Sequence, residues 1–289
     1  MEYQSFAKIN LYLDVLDRRP DGYTNIETIF QTVSLCDHLR IEPGDRELVL
    51  QCSMPGLETD NSNLVMKAAL ALRHATGCEQ GATMTLDKHI PVAAGLAGGS
   101  GNCAAALAGL NVLWGLGLSL EELREIAVGL GSDVPYCLTG GTVAATGRGE
   151  ILTPLRPIAK AWFVLVHPPF HVSTAAVYGS PDLARNTETP NRVGTPRFRS
   201  VVTGMKEDRM PEVVFNRMES AAFVMHPELA EVKQLLLDRG CLAAAMSGSG
   251  PTVFGLCRSE AQARGLVEDG LPYPSSVVHS VDTGVRLVK

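Results

Sequence analysis

The feature that most constrains this chain is a run without a single charged residue, which extends from Ile90 to Leu120. Such a run is long enough to span a bilayer as one helix. It is, however, interrupted by a proline, two asparagines and seven glycines. Glycine and proline at this density favour a turn that precedes a buried helix. The run therefore predicts a glycine-rich loop (residues 91–102) that opens a core helix, and it argues against a membrane span.

Composition narrows the possible functions further. The chain has 289 residues, of which 45% are hydrophobic, so it can bury a substantial core. A net charge of −6 gives no basic surface for nucleic acid. Seven scattered cysteines without a C-x-x-C pair predict reduced thiols. Together with the lack of a signal peptide, they predict a cytoplasmic protein, while the oligomeric state is left open. Two prolines between His167 and His171 argue against a helical metal clamp.

Hydrophobic periodicity predicts a two-domain α+β protein. Residues 5–16 alternate with period two, which predicts a strand with an apolar core face and an opposite face that carries Lys8 and Asn10. The first half further predicts strands at 29–35, 47–52 and 82–88 and helices at 64–75, at 104–114 and after Ser119. The second half predicts strands at 161–167, 242–247, 252–257 and 276–283, helices at 212–225, 228–239 and 259–268, and a polar loop at 179–210. A composition shift at 154–157 predicts the domain boundary, which gives domains 1–156 and 157–289.

The glycine-rich loop has the composition of an anion-binding site. Glycines let backbone N–H groups approach a phosphate closely, and a following helix N-terminus adds partial positive charge. The loop lacks the Gly-Lys-Ser/Thr ending of a Walker A motif, and Ala97 breaks the dinucleotide-binding pattern. On the residues alone, a turn that merely allows close helix packing remains the alternative.

Several segments, in order along most of the chain, resemble one enzyme family. The loop is similar to the phosphate-binding motif of the GHMP kinases, and 246–252 (MSGSGPT) resembles their third motif. The segments 7–11 (AKINL), 19–23 (RPDGY), 131–135 (GSDVP) and 215–219 (FNRME) resemble the subgroup that phosphorylates a cytidine diphosphate-linked methylerythritol. The resemblance implies an N-terminal ATP-binding α+β domain, a C-terminal ferredoxin-like α+β domain, and an ATP-dependent small-molecule kinase.

The resemblance also implies roles for two charged residues. Asp133 would be the catalytic base and Lys8 its cationic partner. Without the resemblance, a solvated strand face would explain Lys8, and a helix N-cap or an Asx-turn would explain Asp133.

Binding residues follow from the same resemblance. For ATP, which would require Mg²⁺ with unassigned ligands, they are Asn63, Lys88, Pro91, Gly95, Leu96, Ala97, Gly98, Gly99, Ser100 and Gly101. For the substrate they are Asn10, Tyr23, Thr24, Thr174, Tyr178 and Gly248, with the cytosine ring between the two tyrosines. Thr24 stands where the family pattern has histidine. An N-cap explains Asn63 equally well.

Two other functions stay open. A related GHMP kinase would act on a sugar, homoserine or a mevalonate-type alcohol, and a GHMP-fold binding protein would not be catalytic. The pair Tyr23 and Tyr178 favours the cytidylated substrate over the first, and the presence of both Lys8 and Asp133 argues against the second.

Overall fold

The computed structural model describes residues 1–183, 194–206 and 209–288. The first half contains, in chain order, β1 (Glu2–Arg18), β2 (Thr24–Gly44), β3 (Leu48–Cys52), α1 (Leu64–Thr76), β4 (Gly81–Asp87), α2 (Gly98–Leu113), α3 (Leu120–Val128), α4 (Val134–Thr139), β5 (Thr142–Thr146) and β6 (Ile151–Pro154). The second half contains β7 (Trp162–Val166), α5 (Thr174–Gly179), α6 (Pro196–Lys206), α7 (Met210–Val213), β8 (Phe215–Asn216), α8 (Glu219–Met225), α9 (Pro227–Asp238), β9 (Ala243–Met246), β10 (Val253–Cys257), α10 (Glu260–Glu268), β11 (Ser275–His279) and β12 (Val285–Leu287).

The first sheet contains eight strands within the described residues, and its main path runs β12-β1-β2-β4-β3. β1 and β2 form a long antiparallel hairpin, in which Ile9 pairs with Gln31. Helix α2 packs against both of these strands and against α1. The strand that carries Lys8 is therefore held between a neighbouring strand and the helix that follows the glycine-rich loop.

The second sheet is antiparallel, with the order β11-β7-β10-β9 among the described strands. Helix α9 packs on β9 and β10, and α10 packs on β7 and β11. Taking α9 and α10 as the crossover helices, the order along the chain is β-α-β-β-α-β, which is the ferredoxin-like arrangement. The predicted α+β fold with a ferredoxin-like C-terminal half is confirmed.

Two strands of the second half join the first sheet. β8 pairs in parallel with β1, and β12 pairs with β1 in the antiparallel sense. The chain passes from the first sheet to the second between β6 and β7, where the boundary at residues 156 and 157 is predicted. That boundary stays a prediction, and β8 links the two halves beside the strand that carries Lys8.

The uncharged run forms the glycine-rich loop and the buried helix α2. Most residues of α2 are buried, including Ala104 and Leu107, which are fully inaccessible. The helix begins at Gly98, six residues before the predicted start. The prediction missed the first turn because that turn consists of glycines and serine, which are weak helix formers. A Cβ at Gly101 would lie 3.5 Å from the carbonyl oxygen of Phe6, so this turn packs closely on β1. Across the described ranges, no helix is long and apolar enough to cross a membrane.

The polar face of β1 is buried, with Lys8 4% and Asn10 2% accessible, and Gly95, Asp133 and Gly248 lie against Lys8. Two local predictions are wrong. The predicted loop at 179–210 contains α6 where it is described, while residues 184–193 and 207–208 lie outside the described residues. The single helix predicted at 212–225 is divided into α7, the short strand β8 and α8.

Candidate active site

The glycine-rich loop enters α2 through left-handed backbone conformations. Gly95 has φ 77°, and Ala93 and Ala97 have φ 54° and 56°. Ala97 is the N-cap residue of α2, and its side chain offers no capping oxygen. The first N–H groups of a helix lack intrahelical partners and lie at the positive end of its dipole. The loop therefore presents an anion-binding helix terminus.

Two cavities meet at this loop. The larger has a volume of about 740 Å³ and the smaller about 480 Å³. Ala93, Gly95, Ala97 and Ser100 line both cavities. A ligand in one cavity can therefore reach a ligand in the other across the glycine-rich loop.

The predicted site residues divide between these cavities. Those that line the larger one are Lys8, Asn10, Tyr23, Thr24, Gly95, Ala97, Ser100, Asp133, Thr174, Tyr178 and Gly248. Those that line the smaller one are Asn63, Lys88, Pro91, Gly95, Ala97, Gly98, Gly99 and Ser100. Leu96 is buried in the core, with its carbonyl oxygen accepting from the N–H of Lys8, and Gly101 packs on β1. Neither of these two lines either cavity.

Lys8 is a buried cation with two of its three donors engaged in hydrogen bonds. Its Nζ donates to Asn10 Oδ1 at 2.8 Å and to the carbonyl oxygen of Gly95 at 2.9 Å, and it lies 3.8 Å from Asp133 Oδ2. Burial lowers the pKa of Lys8 below its usual 10.5, and the nearby charge of Asp133 partly opposes this shift. The burial excludes the alternative of a solvated strand face.

Asp133 occupies the N-cap position of α4, but its side chain makes no capping hydrogen bond. The carboxylate instead faces Lys8 and the larger cavity, with 33% of its side chain accessible. A capping aspartate would direct an oxygen to a backbone N–H of the first helical turn. The observed orientation places a proton acceptor beside a buried cation and open to a ligand.

The turn formed by residues 247–250 closes one side of this arrangement. Ser247 Oγ donates to the carbonyl oxygen of Gly95 at 2.9 Å. A Cβ at Gly95 would lie 2.1 Å from the carbonyl oxygen of Ser247, so glycine is required where the two segments touch. A Cβ at Gly248 would lie 3.4 Å from Lys8 Nζ. The second half of the chain thus contacts the glycine-rich loop and the cation directly.

The far end of the larger cavity contains aromatic residues. Tyr23 is 53% exposed, and the guanidinium carbon of Arg148 lies 4.5 Å from its ring centroid. Tyr178 and Thr24 line the same cavity, and Thr174 Oγ1 is 2.7 Å from Ser249 Oγ. Tyr23 thus offers an accessible aromatic face that a planar ligand can stack on.

Asn63 and Lys88 line the smaller cavity and have structural partners. Asn63 Oδ1 accepts from the N–H of Val65 and caps α1, which is the role given above as the alternative. Lys88 forms an ion pair with Asp37, and its side chain is only 2% accessible. Their roles in nucleotide binding stay predictions.

Two residues of this site were missed in the sequence. Arg148 lies in the turn between β5 and β6, where its neighbours Gly147 and Gly149 have φ 72° and 106°. A cation between two glycines was a usable signal. Asn216 hydrogen-bonds to the carbonyl groups of Met246 and Gly248 from outside the cavities, and the resemblance of the segment 215–219 marked its position without indicating a role.

The sequence matches two known families. It matches GHMP kinases N terminal domain over residues 63–141 and GHMP kinases C terminal over residues 205–269. Among solved structures, a 4-(cytidine 5'-diphospho)-2C-methyl-D-erythritol kinase superposes with a TM-score of 0.81 at 31% identity, covering 97% of this chain and 99% of the other. A homoserine kinase from Cytophaga hutchinsonii superposes with a TM-score of 0.76 at 21% identity, which supports the fold alone.

Curated relatives give a narrower assignment. The 4-diphosphocytidyl-2-C-methyl-D-erythritol kinase of Alkaliphilus oremlandii is 43% identical over 92% of this chain and 90% of its own length. The kinase of the same name from Enterococcus faecalis is 44% identical over 89% of this chain and 90% of its own length. The chain belongs to the 4-diphosphocytidyl-2-C-methyl-D-erythritol kinase family, within the GHMP kinases.

Proposed function

We propose that this protein transfers the γ-phosphoryl group of ATP to the 2-hydroxyl of 4-diphosphocytidyl-2-C-methyl-D-erythritol, a step of non-mevalonate isoprenoid precursor synthesis. The products are the 2-phosphate and ADP. The observation that carries the proposal is the position of Lys8 and Asp133, which lie together in the larger cavity beside the wall that both cavities share.

The acceptor hydroxyl occupies the larger cavity, where Asp133 takes its proton as the oxygen attacks phosphorus. The bond between phosphorus and the leaving oxygen of ADP breaks in the same transfer. Phosphoryl transfer depends mainly on positioning and charge neutralisation. Lys8 supplies a fixed positive charge beside Asp133, and its hydrogen bonds to Asn10 and to Gly95 hold that charge in place.

ATP occupies the smaller cavity, with its phosphates at the N-terminus of α2. Glycine is favoured at position 98, because a Cβ there would lie 3.0 Å from Lys88 Nζ and from a methyl of Ile90. Mg²⁺ is held in such sites by one or two carboxylates together with substrate phosphates. The hydroxyl of Ser100 lines both cavities, so together with the ATP phosphates it would hold the ion, which would neutralise phosphate charge.

The cytosine ring stacks between Tyr23 and Tyr178. Base stacking on an aromatic side chain contributes about 1–3 kcal/mol. Arg148 supports this role, since its guanidinium covers one part of the Tyr23 ring and restricts its motion. Thr24 offers one hydroxyl to the polar edge of the base, whereas histidine would offer a ring donor and acceptor.

Two alternatives have less support. A sugar, homoserine or mevalonate-type alcohol would leave the aromatic end of the larger cavity without a partner, although kinases of these kinds share the fold. A non-catalytic binding protein would not need a buried Lys8 beside a partly accessible Asp133, because burying a cation is costly.

The test is a coupled ADP-release assay on the cytidylated substrate and on homoserine, mevalonate and a hexose. We expect turnover of the cytidylated substrate. Tyr23→Ala should lower kcat/KM by about 5- to 150-fold, as loss of about 1–3 kcal/mol of stacking implies. Tyr273→Ala is the matched control, because that tyrosine packs in the second half of the chain away from the larger cavity. Equal turnover of an alcohol without cytidine, or an unaffected Tyr23→Ala variant, would contradict the proposed substrate.

A further inference from the structure

The carbonyl oxygen of Gly95 accepts two hydrogen bonds, one from each half of the molecule. One comes from Lys8 Nζ at 2.9 Å, and the other comes from Ser247 Oγ at 2.9 Å. The location of this oxygen therefore fixes the distance between the glycine-rich loop and the buried cation. The position of the Gly95 carbonyl oxygen also depends on where the turn at 247–250 lies.

Asn216 holds that turn. It is 2% accessible, and its Nδ2 donates to the carbonyl oxygens of Met246 at 2.7 Å and Gly248 at 2.8 Å. Its Oδ1 accepts from the N–H of Met218 at 2.9 Å. Both hydrogens of one amide group thus bind the two backbone carbonyls on either side of Ser247.

Asn216 is itself fixed to the strand that carries Lys8. It belongs to β8, and its register partner on β1 is Leu13. The next residue, Arg217, forms an ion pair with the fully buried Asp14 of β1, with Nε and Oδ1 2.7 Å apart. The contacts form a closed path from Lys8 along β1 to Asn216, through the turn to Gly95, and back to Lys8.

We propose that Asn216 is a positioning residue for phosphoryl transfer, although it touches neither cavity. By holding residues 246–248 against the glycine-rich loop, it keeps the Gly95 carbonyl aligned with Lys8, and Lys8 aligned with Asp133. A misplacement of about 1 Å caused by a distant substitution can cost about 100-fold in rate. This inference rests on the proposed kinase activity.

A purely structural role would give a different result. Loss of a buried hydrogen bond lowers stability wherever the bond lies. It would lower the fraction of folded enzyme without changing turnover per folded molecule. A positioning role lowers kcat of the folded enzyme while KM for the cytidylated substrate stays nearly the same, because Asn216 lines neither cavity, whereas Tyr23 and Tyr178 line the larger one.

The first experiment compares Asn216→Asp with Asn111→Asp. The aspartate keeps the shape and the acceptor for Met218 but loses both donated bonds. Asn111, near the end of α2, also donates to a backbone carbonyl, that of Leu118 at 2.9 Å, and accepts from the N–H of the same residue. We expect kcat per folded molecule to fall by about 10- to 100-fold for Asn216→Asp and to stay unchanged for Asn111→Asp. Equal kcat in both variants would overturn the proposal.

A second variant keeps the test decisive if Asn216→Asp does not fold. Ser247→Ala removes the hydroxyl that donates to Gly95 and leaves the turn otherwise intact. We expect kcat to fall by about 3- to 10-fold, in line with one hydrogen bond. In the double variant Asn216→Asp/Ser247→Ala, the two losses of kcat should be less than additive, because both substitutions act through the same turn. Unchanged kcat in Ser247→Ala would refute the proposal, whereas an inactive wild-type protein would instead refute the kinase activity itself.

Discussion

Two lysine–aspartate pairs lie on opposite sides of the glycine-rich loop, and they differ in how completely their polar atoms are used. In the pair on the larger cavity, Lys8 and Asp133 are 3.8 Å apart, and the aspartate side chain is 33% accessible. In the pair beneath the loop, Lys88 and Asp37 are in direct contact and both are almost inaccessible. Residue type is the same in both pairs, but exposure and bonding are not.

The second pair is saturated. The carboxylate of Asp37 also accepts from the N–H groups of His89 and Ile90 and from Asn102 Nδ2, and Lys88 Nζ donates to Asn102 Oδ1. A buried pair with every partner in place is costly to break but has no acceptor left for a reacting proton. Asp133 keeps its carboxylate open to a ligand. The difference is the one expected if the first pair serves chemistry, as proposed, and the second supports the loop.

The largest expected effect comes from Asp133→Asn. An amide cannot accept the hydroxyl proton, and loss of a general base lowers turnover by about 10²–10⁴-fold. Stability should also fall, because the substitution leaves the buried Lys8 without its counter-charge, although Asp133 makes no capping bond and is partly exposed. Steady-state kinetics with a parallel unfolding curve would measure both. A variant with the kcat of the wild type would remove Asp133 as the base and erase the difference between the pairs.

The next effect is on stability and comes from Lys88→Met. It leaves the charge of Asp37 buried without its partner, which should cost about 3–5 kcal/mol in the free energy of unfolding. Denaturant titration measures this loss, and the double variant Asp37→Asn/Lys88→Met should recover part of it. If Lys88→Met were stable and instead lost ATP affinity in calorimetry, Lys88 would bind the nucleotide, and the contrast between the pairs would fail.

The smallest effect concerns Ala97, which lies between the two pairs. Its left-handed φ of 56° costs an alanine about 1–2 kcal/mol, while glycine adds less than that in unfolded-chain entropy. Ala97→Gly should therefore stabilise the protein by about 0.5 kcal/mol. Ala108→Gly, in the interior of α2, is the control and should destabilise by about 1 kcal/mol. Loss of stability in both variants would contradict the strained conformation.

The local pattern of the sequence was sufficient for several elements. Gly77 ends α1 with φ 71°, and Ser119 with Glu122 forms the predicted capping box of α3. These features depend on residues within a few positions of each other. The glycine-rich loop was likewise predictable from its glycines, of which Gly95 has φ 77°.

Other features could not be read locally. The short strand β8 exists because Asn216 pairs with β1, two hundred residues earlier in the chain, so helix propensity around it was misleading. The burial of Lys8 and Asn10 depends on elements that pack over β1 from elsewhere in the sequence. Period-two alternation indicates that a strand has two different faces, and it does not indicate what covers the polar one.

The sequence by itself determined the fold class and the glycine-rich loop and, through ordered motifs, made Lys8 and Asp133 the candidate catalytic residues. Only the tertiary structure decided which lysine–aspartate pair is open to a ligand, since Asp37 and Lys88 are 51 positions apart and Lys8 and Asp133 even further. It also decided that Asn216 holds the turn against Gly95. The physical reason is that exposure and hydrogen-bond saturation depend on contacts between distant segments, which residue type and spacing do not encode.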